Sequence, residues 1–532
     1  MAAGTAPPAS TEYAEYTTAV RVIIMVAVML GVLMQMIDSS IVNVAIPTMQ
    51  GNLGVTLDQI SWVATGYILA NVVFLPMTGW LATVFGRRRY LSGSMALFTI
   101  ASVLCGMSRS LAALVVFRML QGAGGAALVA TAQATMMEIF PPQQLGMVQA
   151  IYGLGVMVGP AIGPTLGGWI VDNLSWPWIF YVNLPIGTVA TIVAFSFMRD
   201  SRYAHGGGRR IDIFGIFLLA IGLGSLQTML EKGTREAWFE SDLITGLAIS
   251  AAVGLATFVL WELHTEHPVV NLRILRHRGF AAGTVFGTVL GFGLYGGIFV
   301  LPVFLQQLRH YTAMQTGLML LPAALTSGLV LPVVGILVNK LPARAMAAAG
   351  VLVATISTFM FRNLTLDSGP GQLLPPLVLR GLGMGFVWVP LTLATLIGLR
   401  GREIAQGTAL FNLARQLGGS AGIAFLSTFV GRRIDFHYAV LSERVNLYNP
   451  ALQHGFGALA AMLGAKGAPP PVAAQQAYAL LAQTVQGHAA VLSYEDCFML
   501  MGFVFLFSMP LLLLFEKGRA TAQRPGSRPD VE

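Results

Sequence analysis

The sequence predicts an all-α membrane protein of fourteen transmembrane helices, arranged as two six-helix bundles with two additional spans between them. Three observations predict this class: the chain is mostly apolar, its apolar runs are long enough to cross a bilayer, and its two halves repeat. Of its 532 residues, 55% are hydrophobic and 10% are charged, and the mean hydropathy is +0.71. Soluble proteins carry about 25% charged residues, so most of this chain must lie in lipid.

Fourteen apolar runs can each cross a hydrocarbon core of about 30 Å at about 1.5 Å per residue. They cover residues 20–46, 58–79, 90–107, 111–133, 144–167, 177–198, 212–230, 242–262, 279–305, 316–338, 345–361, 372–396, 407–430 and 497–515. The predicted domains are an N-terminal tail (1–19), an N-terminal bundle (20–198), two linker spans with their loops (199–278), a C-terminal bundle (279–515) and a C-terminal tail (516–532).

The basic residues predict that both termini lie in the cytoplasm. Nineteen Lys and Arg residues fall in loops and tails on the side of the termini, and five fall in the short loops on the opposite side. Because loops rich in Lys and Arg stay on the cytoplasmic side, this asymmetry sets the orientation of the chain. The net charge of +8 therefore favours anionic lipid headgroups as the partner, and no nucleic acid.

One long segment, residues 431–496, interrupts the C-terminal bundle. It contains two helix-like stretches around the break GAKGAPPP (464–471), and the second stretch places apolar residues at helical spacing. The segment is predicted to form a helical insertion on the extracytoplasmic side.

Two pairs of similar stretches indicate that the bundles are repeats. RMLQGAGGAAL (118–128) resembles LRGLGMGFVW (379–388), and TGWLATVFGRRR (78–89) resembles VGILVNKLPAR (334–344). The two pairs share an offset of roughly 260 residues, as expected for one six-span unit used twice. Internally repeated spans are typical of secondary transporters.

Three ionisable residues lie inside predicted spans at a similar depth. Asp38, Arg118 and Arg380 are each about 10 to 12 Å below the outer surface when counted along their helices. Charges in lipid are costly, so these side chains are expected to share a polar cavity between helices. A carboxylate that is both desolvated and close to a cation can take up and release a proton. The alternative is that the first span ends near Met36, which would leave Asp38 as a solvated interfacial residue.

Glycine and proline recur in the fifth span, GLGVMVGPAIGPTLGGWI (153–170). Both residue types are unfavourable inside a soluble helix, but in a membrane they allow close helix approach and fixed bends. The stretch therefore predicts either a structural helix seam or a moving element, and the two roles are compatible. Its residues are Gly155, Gly159, Pro160, Gly163, Pro164, Gly167 and Gly168.

A short cytoplasmic loop, GWLATVFGRRR (79–89), follows the second span. Gly79, Gly86, Arg87 and Arg88 are candidates for a gating role in this loop. The alternative is that its arginines only anchor the chain to the cytoplasmic surface. Similarly, QGAGGAAL in the fourth span is explained by helix packing alone.

Motifs for catalysis and for metal binding are absent from the sequence. There is no G-x-x-x-x-G-K-[ST], H-E-x-x-H or G-x-S-x-G pattern. We therefore expect no enzyme activity, no catalytic residue, no metal and no cofactor other than a coupling proton. Two further carboxylates, Glu138 and Glu262, lie at span ends and are expected to be solvated.

Four stretches together resemble the major facilitator superfamily, and within it the fourteen-span drug:proton antiporters of the EmrB/QacA type. The first-helix motif is similar to IDSSIVNVAIP (37–47), which includes Asn43 and Pro47. The fourth-helix motif is similar to FRMLQGAGGAAL (117–128), and the antiporter motif of the fifth helix to GPAIGPTLGG (159–168). SWPWIFYVNLPIG (175–187) resembles the opening of the sixth helix, and segment 431–496 resembles the EmrB branch most.

This resemblance implies the major facilitator fold and proton-driven export of amphipathic drugs. It assigns proton coupling to Asp38 and Arg118, and conformational change to the glycines and prolines of the fifth span. It also implies location in a bacterial inner membrane, with a periplasmic adaptor and an outer-membrane channel as partners. The sequence departs from the family pattern at Thr83 and Val84, where Asp and Arg are usual, so an acidic latch partner is missing from that loop.

Two other functions stay open at the level of sequence. One is export of a single physiological compound, such as a fatty acid, a siderophore or an antibiotic. The other is a membrane receptor or scaffold that transports nothing. The intramembrane charges argue against a scaffold, since a scaffold does not need them.

Overall fold

The computed structural model describes residues 16–200, 212–399, 401–443, 445 and 450–515. The predicted C-terminal tail, most of the predicted N-terminal tail and residues 201–211 lie outside this part of the chain. Within it, all regular secondary structure is helical, in agreement with the predicted class.

Six long helical segments form the N-terminal half: α1 (Thr18–Leu53), α2 (Leu57–Phe85), α3 (Arg87–Gly106), α4 (Leu111–Ile139), α5 (Leu145–Asn173) and α6 (Trp178–Phe197). Polar residues and glycine at the helix ends satisfy backbone groups that the helices leave free. At the start of α4, the Ser110 hydroxyl accepts a hydrogen bond from the Ala113 N–H (3.4 Å). Gly54 ends α1 in the left-handed conformation, with φ of 63°.

The linker forms α7 (Ile213–Lys232) and α8 (Asp242–His264). The C-terminal half contains α9 (Arg278–Gln307), α10 (Ala313–Leu337), α11 (Ala343–Met360), α12 (Pro370–Leu396), α13 (Arg402–Glu443), α14 (Pro450–Ala465) and α15 (Pro470–Ser508). Thr312 and Gln315 cap α10 reciprocally, each side chain accepting a hydrogen bond from the backbone N–H of the other.

Each predicted span coincides with one of these helices. Twelve helical segments of the described chain are long and apolar enough to cross a membrane, and they include all predicted spans except α3 and α13. Those two are less apolar, because α3 begins with three arginines and the predicted span in α13 contains Arg415 followed by glycine and serine. Both pack within the bundles, so the structure is consistent with fourteen spans.

The first helix is longer than the sequence predicts. The apolar pattern suggested an end at Pro47, but α1 contains Pro47 and continues to Leu53. A proline lacks the backbone N–H yet bends a membrane helix without ending it, because neighbouring helices compensate for the lost hydrogen bond. Asp38 therefore lies well inside the helix, and the alternative of a helix end near Met36 is wrong.

The two halves meet along two main seams. Helix α5 packs against α10, and α13 packs against α2 and α4. At one end of the α5–α10 seam Gly146 and Gly335 lie backbone to backbone, and at the other end Gly317 contacts Thr165. The linker helix α7 packs on the side of the second seam, against α2 and α13, while α8 packs mainly on α7.

The insertion is helical, as predicted, and consists of three parts: the extension of α13, the separate helix α14 and the first half of α15. Arg433 on α13 donates a hydrogen bond from Nε to the Asp496 carboxylate on α15 (2.6 Å), and His437 lies 2.8 Å from the same carboxylate. Helix α14 packs on α15, where the Phe456 and Tyr478 rings are 4.3 Å apart.

Candidate functional site

The centre of the N-terminal half holds a buried ion pair between Asp38 on α1 and Arg118 on α4. Arg118 Nη1 is 2.6 Å from Asp38 Oδ2, and the Asp38 and Arg118 side chains are 0% and 1% exposed. The spans that carry them come together because α1 and α4 pack directly against each other. The structure thus brings together two residues that the sequence analysis placed at a similar depth and expected to lie near each other.

Two amides complete the hydrogen bonding of this pair. Gln121 Nε2 and Asn183 Nδ2 both donate to Asp38 Oδ1, at 2.8 and 2.9 Å. Gln121 Oε1 accepts from Arg118 Nη1 (2.6 Å), so the amide bridges both charges. Asn183 also donates to the Ser102 hydroxyl (3.0 Å), which ties α6 to α3. A buried ion pair is tolerated only when its remaining donors and acceptors are satisfied in this way.

Aromatic rings enclose the guanidinium of Arg118. The Tyr67 ring centroid lies 4.2 Å from Arg118 Cζ and the Phe180 centroid lies 5.7 Å from it. Arg118 Nε donates to the Val63 carbonyl on α2 (3.2 Å). These contacts exclude water and place the cation over the negative faces of the rings.

The glycines that follow Arg118 allow α2 to approach α4. A Cβ at Gly122 would overlap the Tyr67 carbonyl, and a Cβ at Gly125 would lie 2.9 Å from the Tyr67 hydroxyl. Asn71 Nδ2 donates to the Gly122 carbonyl across the same contact (3.2 Å). Helix packing alone therefore explains these glycines of QGAGGAAL. Their small size allows Tyr67 to pack against Arg118.

A central cavity of about 1270 Å³, its open mouth included, lies between the two halves beside this pair. Its walls include Tyr67 and Asn43 from the N-terminal half, Arg415 from the C-terminal half and Glu231 from the linker helix α7. Asp38 and Arg118 do not line it, whereas Tyr67 both stacks on Arg118 and lines the cavity. Access to the pair therefore requires movement of Tyr67 or of the helices around it.

The glycines of α5 form a seam against α1. Gly155, Gly159, Gly163 and Gly167 recur every four residues, and a Cβ at each would overlap an atom of α1 between Met29 and Ile41. Gly168 differs, because nothing lies within 4 Å of its Cβ position. Pro160 lies between two seam glycines and lines the central cavity, while Pro164 is inside the same helix. The seam joins α5 to the segment of α1 that contains Asp38.

The segment 79–89, which includes the end of α2, Gly86 and the start of α3, contacts α13, α4 and the residues that follow α6. Gly79 packs against the backbone of Gln406 on α13, which a Cβ would approach to 2.8 Å. Gly86 has φ of +83° and lies against the Asp200 carboxylate, which accepts a hydrogen bond from the Arg88 N–H (3.0 Å). Arg87 forms an ion pair with Glu138 at the end of α4.

A carboxylate from another part of the chain lies at this loop. Thr83 cannot form an ion pair, and its hydroxyl donates to the Trp80 carbonyl (2.7 Å). Asp200, three residues beyond the end of α6, accepts a hydrogen bond from the Arg88 N–H there. Sequence reasoning did not identify Asp200, because it is remote in the chain and follows no motif.

Arg380 does not share a cavity with Asp38 and Arg118, so that expectation is wrong. It lies on α12 and lines a second cavity of about 760 Å³, its open mouth included, between α5, α9, α10 and α12. The similar depths arise from the internal repeat, since α4 and α12 are equivalent helices of different halves. Depth along a helix cannot tell which bundle interior a side chain faces.

Several buried polar residues were missed or misjudged at the level of sequence. Gln121 and Asn183 lie inside quoted motifs, Gln121 three residues after Arg118 and therefore on the same helix face, which was the available signal. Glu138 and Glu262 were expected to be solvated, but the Glu138 side chain is 7% exposed and Glu262 is 1% exposed. Both lie at helix ends that other elements cover.

Comparison with known proteins identifies relatives of this arrangement. The family model of the Major Facilitator Superfamily matches residues 28–423. The multidrug export protein EmrB of Haemophilus influenzae is 38% identical over 438 residues, which are 81% of this chain and 85% of that protein. EmrB of Escherichia coli K12 is 34% identical over 493 residues, 92% of this chain and 94% of that protein. The structure of the human organic anion transporter MFSD10 has a TM-score of 0.57 at 13% identity, covering 92% of this chain and 99% of that one.

Proposed function

The chain belongs to the major facilitator superfamily, and on that premise we propose that it is a proton-coupled exporter of amphipathic drugs or other toxic compounds. Two relatives that align over most of the chain are named multidrug export proteins, which supports drug efflux as the activity. Transport, and not enzyme catalysis, is what this family does. The chain is a multi-span membrane protein, and its proposed location is the inner membrane of a bacterium with both termini in the cytoplasm.

The observation that carries the proposal is the enclosed Asp38–Arg118 pair beside a central cavity. An isolated scaffold gains little from such a pair, because apolar residues of the same size are often as stable or more stable. A transporter gains a switch, since a proton on Asp38 removes one charge of the pair and changes its energy in one conformation more than in the other. A ligand that binds two states unequally shifts their populations, and here that ligand is the proton.

The cavity offers a place for the second ligand, the transported compound. It lies between the two halves, at the position where alternating movement of the halves exposes a site to either side. Its walls combine apolar residues with Asn43, Glu231 and Arg415, a composition that suits amphipathic molecules. The proton and the compound would thus occupy neighbouring but separate sites.

Export is further proposed to run through a tripartite assembly. The helical insertion formed by α14 and the adjoining parts of α13 and α15 would contact a periplasmic adaptor protein, which connects to an outer-membrane channel. Exposed apolar side chains on the insertion, among them Met462, Val472 and Tyr478, support a contact surface there.

The test is transport in proteoliposomes driven by an imposed pH gradient, with ethidium as the probe. We expect wild-type protein to transport ethidium only with the gradient, and Asp38→Asn to lose gradient-driven transport by more than about 10-fold. The matched control is Asp58→Asn, which changes an exposed carboxylate (87% exposed side chain) and should leave transport unchanged. Gradient-driven transport that persists undiminished in Asp38→Asn would refute the coupling role.

A further inference from the structure

The first linker helix, α7, lies between the two halves on one side of the central cavity. Residues 75–85 of α2 pack on α13, but residues 62–74 make little contact with α13 and pack on α7 instead. Both α2 and α13 line the cavity, and Glu231 of α7 lies in the wall between them. The linker therefore separates two helices that belong to different halves of the protein.

The turn that joins α7 to α8 is hydrogen-bonded to α13. We call residues 233–241 the linker turn. Trp238 Nε1 donates to the Thr428 hydroxyl on α13 (2.8 Å), and the Thr234 hydroxyl lies 3.0 Å from the same oxygen. This end of the linker is predicted to face away from the cytoplasm. Thr428 is thus the point at which the linker turn contacts the C-terminal half.

The backbone of the linker turn bends sharply where it makes this contact. Ala237 and Trp238 have positive φ angles of 53° and 55°, a conformation that residues with a side chain rarely adopt. The Trp238 N–H donates to the Gly233 carbonyl (2.8 Å), and the Trp238 ring packs so closely that a Cβ at Gly233 would lie 2.7 Å from it. Unfavourable backbone conformations of this kind are frequent in switch regions.

Contacts of α7 with α2 are of a different kind. Leu223 of α7 and Val72 of α2 belong to one buried apolar cluster, whose α13 members lie near the cytoplasmic end of that helix. Nearer the linker turn, the Lys232 ammonium lies 4.3 Å from the centroid of the Trp62 ring on α2. Apolar burial and a cation–π contact therefore hold α7 on α2, whereas hydrogen bonds hold the linker turn on α13.

Movement of the halves cannot preserve both sets of contacts. Because α2 and α13 belong to different halves, alternating access changes the distance between their outer ends. Hydrogen bonds between neutral groups contribute little net free energy, since water can replace the lost partner. Exposing an apolar surface has no such compensation. The hydrogen bonds to Thr428 are therefore the contacts that break at the smaller cost.

We propose that the linker pair α7 and α8 moves with the N-terminal half as a side wall of the central cavity, and that the linker turn releases Thr428 in each transport cycle. This gives the two additional spans a function in transport. They close the side of the cavity between α2 and α13 against the bilayer while the halves move apart. The proposal rests on the proposed export function, because alternating access is what moves the halves.

The experiment compares two disulfides in full-length protein whose two native cysteines are replaced by alanine. Thr234→Cys with Thr428→Cys links the linker turn to α13. The matched control, Ser225→Cys with Ser250→Cys, links α7 to α8, where the two hydroxyl oxygens are 3.1 Å apart. We expect oxidation of the first pair to lower gradient-driven ethidium transport in proteoliposomes by at least about 10-fold. Oxidation of the control pair should leave transport unchanged, because α7 and α8 move together.

Two results would overturn the proposal. Full transport by protein cross-linked between Thr234 and Thr428 would show that the linker turn does not need to release α13. Loss of transport in both cross-linked proteins would show that the linker pair does not move as one unit. Treatment of each single-cysteine variant with oxidant measures any unspecific effect, and a reductant should restore the activity of the protein linked to α13.

A second measurement needs neither transport nor disulfide formation. Spin labels are attached through Phe239→Cys in the linker turn, Leu57→Cys at the start of α2 and Arg432→Cys on α13, all at exposed positions. Electron paramagnetic resonance then gives the distances from 239 to 57 and from 239 to 432 in nanodiscs, at neutral and at acidic pH. We expect the distance to 432 to change by about 5 Å or more and the distance to 57 to stay constant.

The two measurements distinguish failure of this proposal from failure of the proposed function. If the chain is not a proton-coupled exporter, protein without a cross-link shows no gradient-driven transport of ethidium, and the label distances still decide whether the linker follows α2. A constant distance between 239 and 432, or a change only between 239 and 57, would overturn the proposal while gradient-driven transport remained intact.

Discussion

At the scale of single residues, the cost of burying Asp38 and Arg118 is offset by the attraction between their charges and by their hydrogen bonds. Two unit charges about 4 Å apart attract by roughly 4 kcal/mol at an effective dielectric constant of about 20. Asp38 also accepts hydrogen bonds from Gln121 and Asn183, so its carboxylate is held from three directions. A few kcal/mol is enough to reverse the population of two conformations, which makes a proton on Asp38 an adequate trigger.

Removing one member of the pair should cost more stability than removing both. We expect Arg118→Ala to lower the free energy of unfolding by about 3 to 5 kcal/mol, because it leaves Asp38 buried without its counter-ion. Asp38→Asn combined with Arg118→Ala should recover part of that loss. Thermal unfolding of the purified variants measures both effects, with the exposed Arg109→Ala as control. Additive losses in the double variant would show that the pair is not energetically coupled.

At the scale of helices, the seam between α5 and α1 positions the ion pair relative to the cavities. Glycines four residues apart present a strip of backbone on which α1 rests, and they contact the segment of α1 that carries Asp38. A similar seam occurs in the other half, where Gly418 and Gly422 on α13 pack against the backbone of α9. Both bundles therefore use a glycine-bearing helix against their first helix, in line with the internal repeat.

The seam allows a test with a control on the same helix. Gly159→Leu places a side chain where Met36 of α1 already lies, so we expect loss of transport and of thermal stability. Gly168→Leu adds the same side chain where nothing lies within 4 Å, and should change neither property appreciably. Gradient-driven transport and thermal unfolding of the two variants, compared at equal protein amounts, distinguish packing at the seam from a general effect of leucine in α5.

The insertion allows a second test at this scale. We expect that replacing residues 445–483 with a flexible linker of about 10 residues leaves folding and proteoliposome transport intact, because α14 packs mainly on α15. Efflux from whole cells should be lost, since that activity needs the proposed adaptor. Retained whole-cell efflux would instead indicate a structural cap.

Sequence patterns were sufficient to locate the helices but not to show which helices pack against each other. Hydropathy found a helix of the described chain for each predicted span, because apolar length is a local property of the chain. It placed several helix ends too early, since α1, α2, α4 and α5 all continue beyond the predicted ends of their spans. The proximity of Asp38 and Arg118 was expected from their depth and from the family resemblance, whereas the contacts of Asn183 and Asp200 required knowledge of which helices touch. Arg380 illustrates the limit: its depth was estimated from the sequence, but the cavity it faces depends on packing between α5, α9, α10 and α12.

At the scale of the whole molecule, contacts between the halves hold this conformation closed at one end. Gln133 accepts a hydrogen bond from Asn412 Nδ2 (2.7 Å) across the α4–α13 contact, and Gly79 packs on Gln406 nearby. On the α5–α10 seam, Asn339 Nδ2 donates to the Gln143 carbonyl (2.9 Å). All of these residues lie towards the helix ends predicted to face the cytoplasm, whereas the central cavity lies between the halves beyond them.

Alternating access requires these contacts to break and re-form, and a covalent link across them should therefore stop transport. Gln143 and Asn339 are suitable positions, because they touch across the two halves and neither is buried. In Gln143→Cys combined with Asn339→Cys, with Cys105 and Cys497 replaced by alanine, we expect oxidation to reduce gradient-driven transport to below about a tenth. Reduction of the disulfide should restore it, and each single cysteine variant should be insensitive to oxidant. Full transport by cross-linked protein would mean that the two halves do not separate at this end during the cycle, and the closed end described here would then be a fixed hinge, with movement confined to the opposite side.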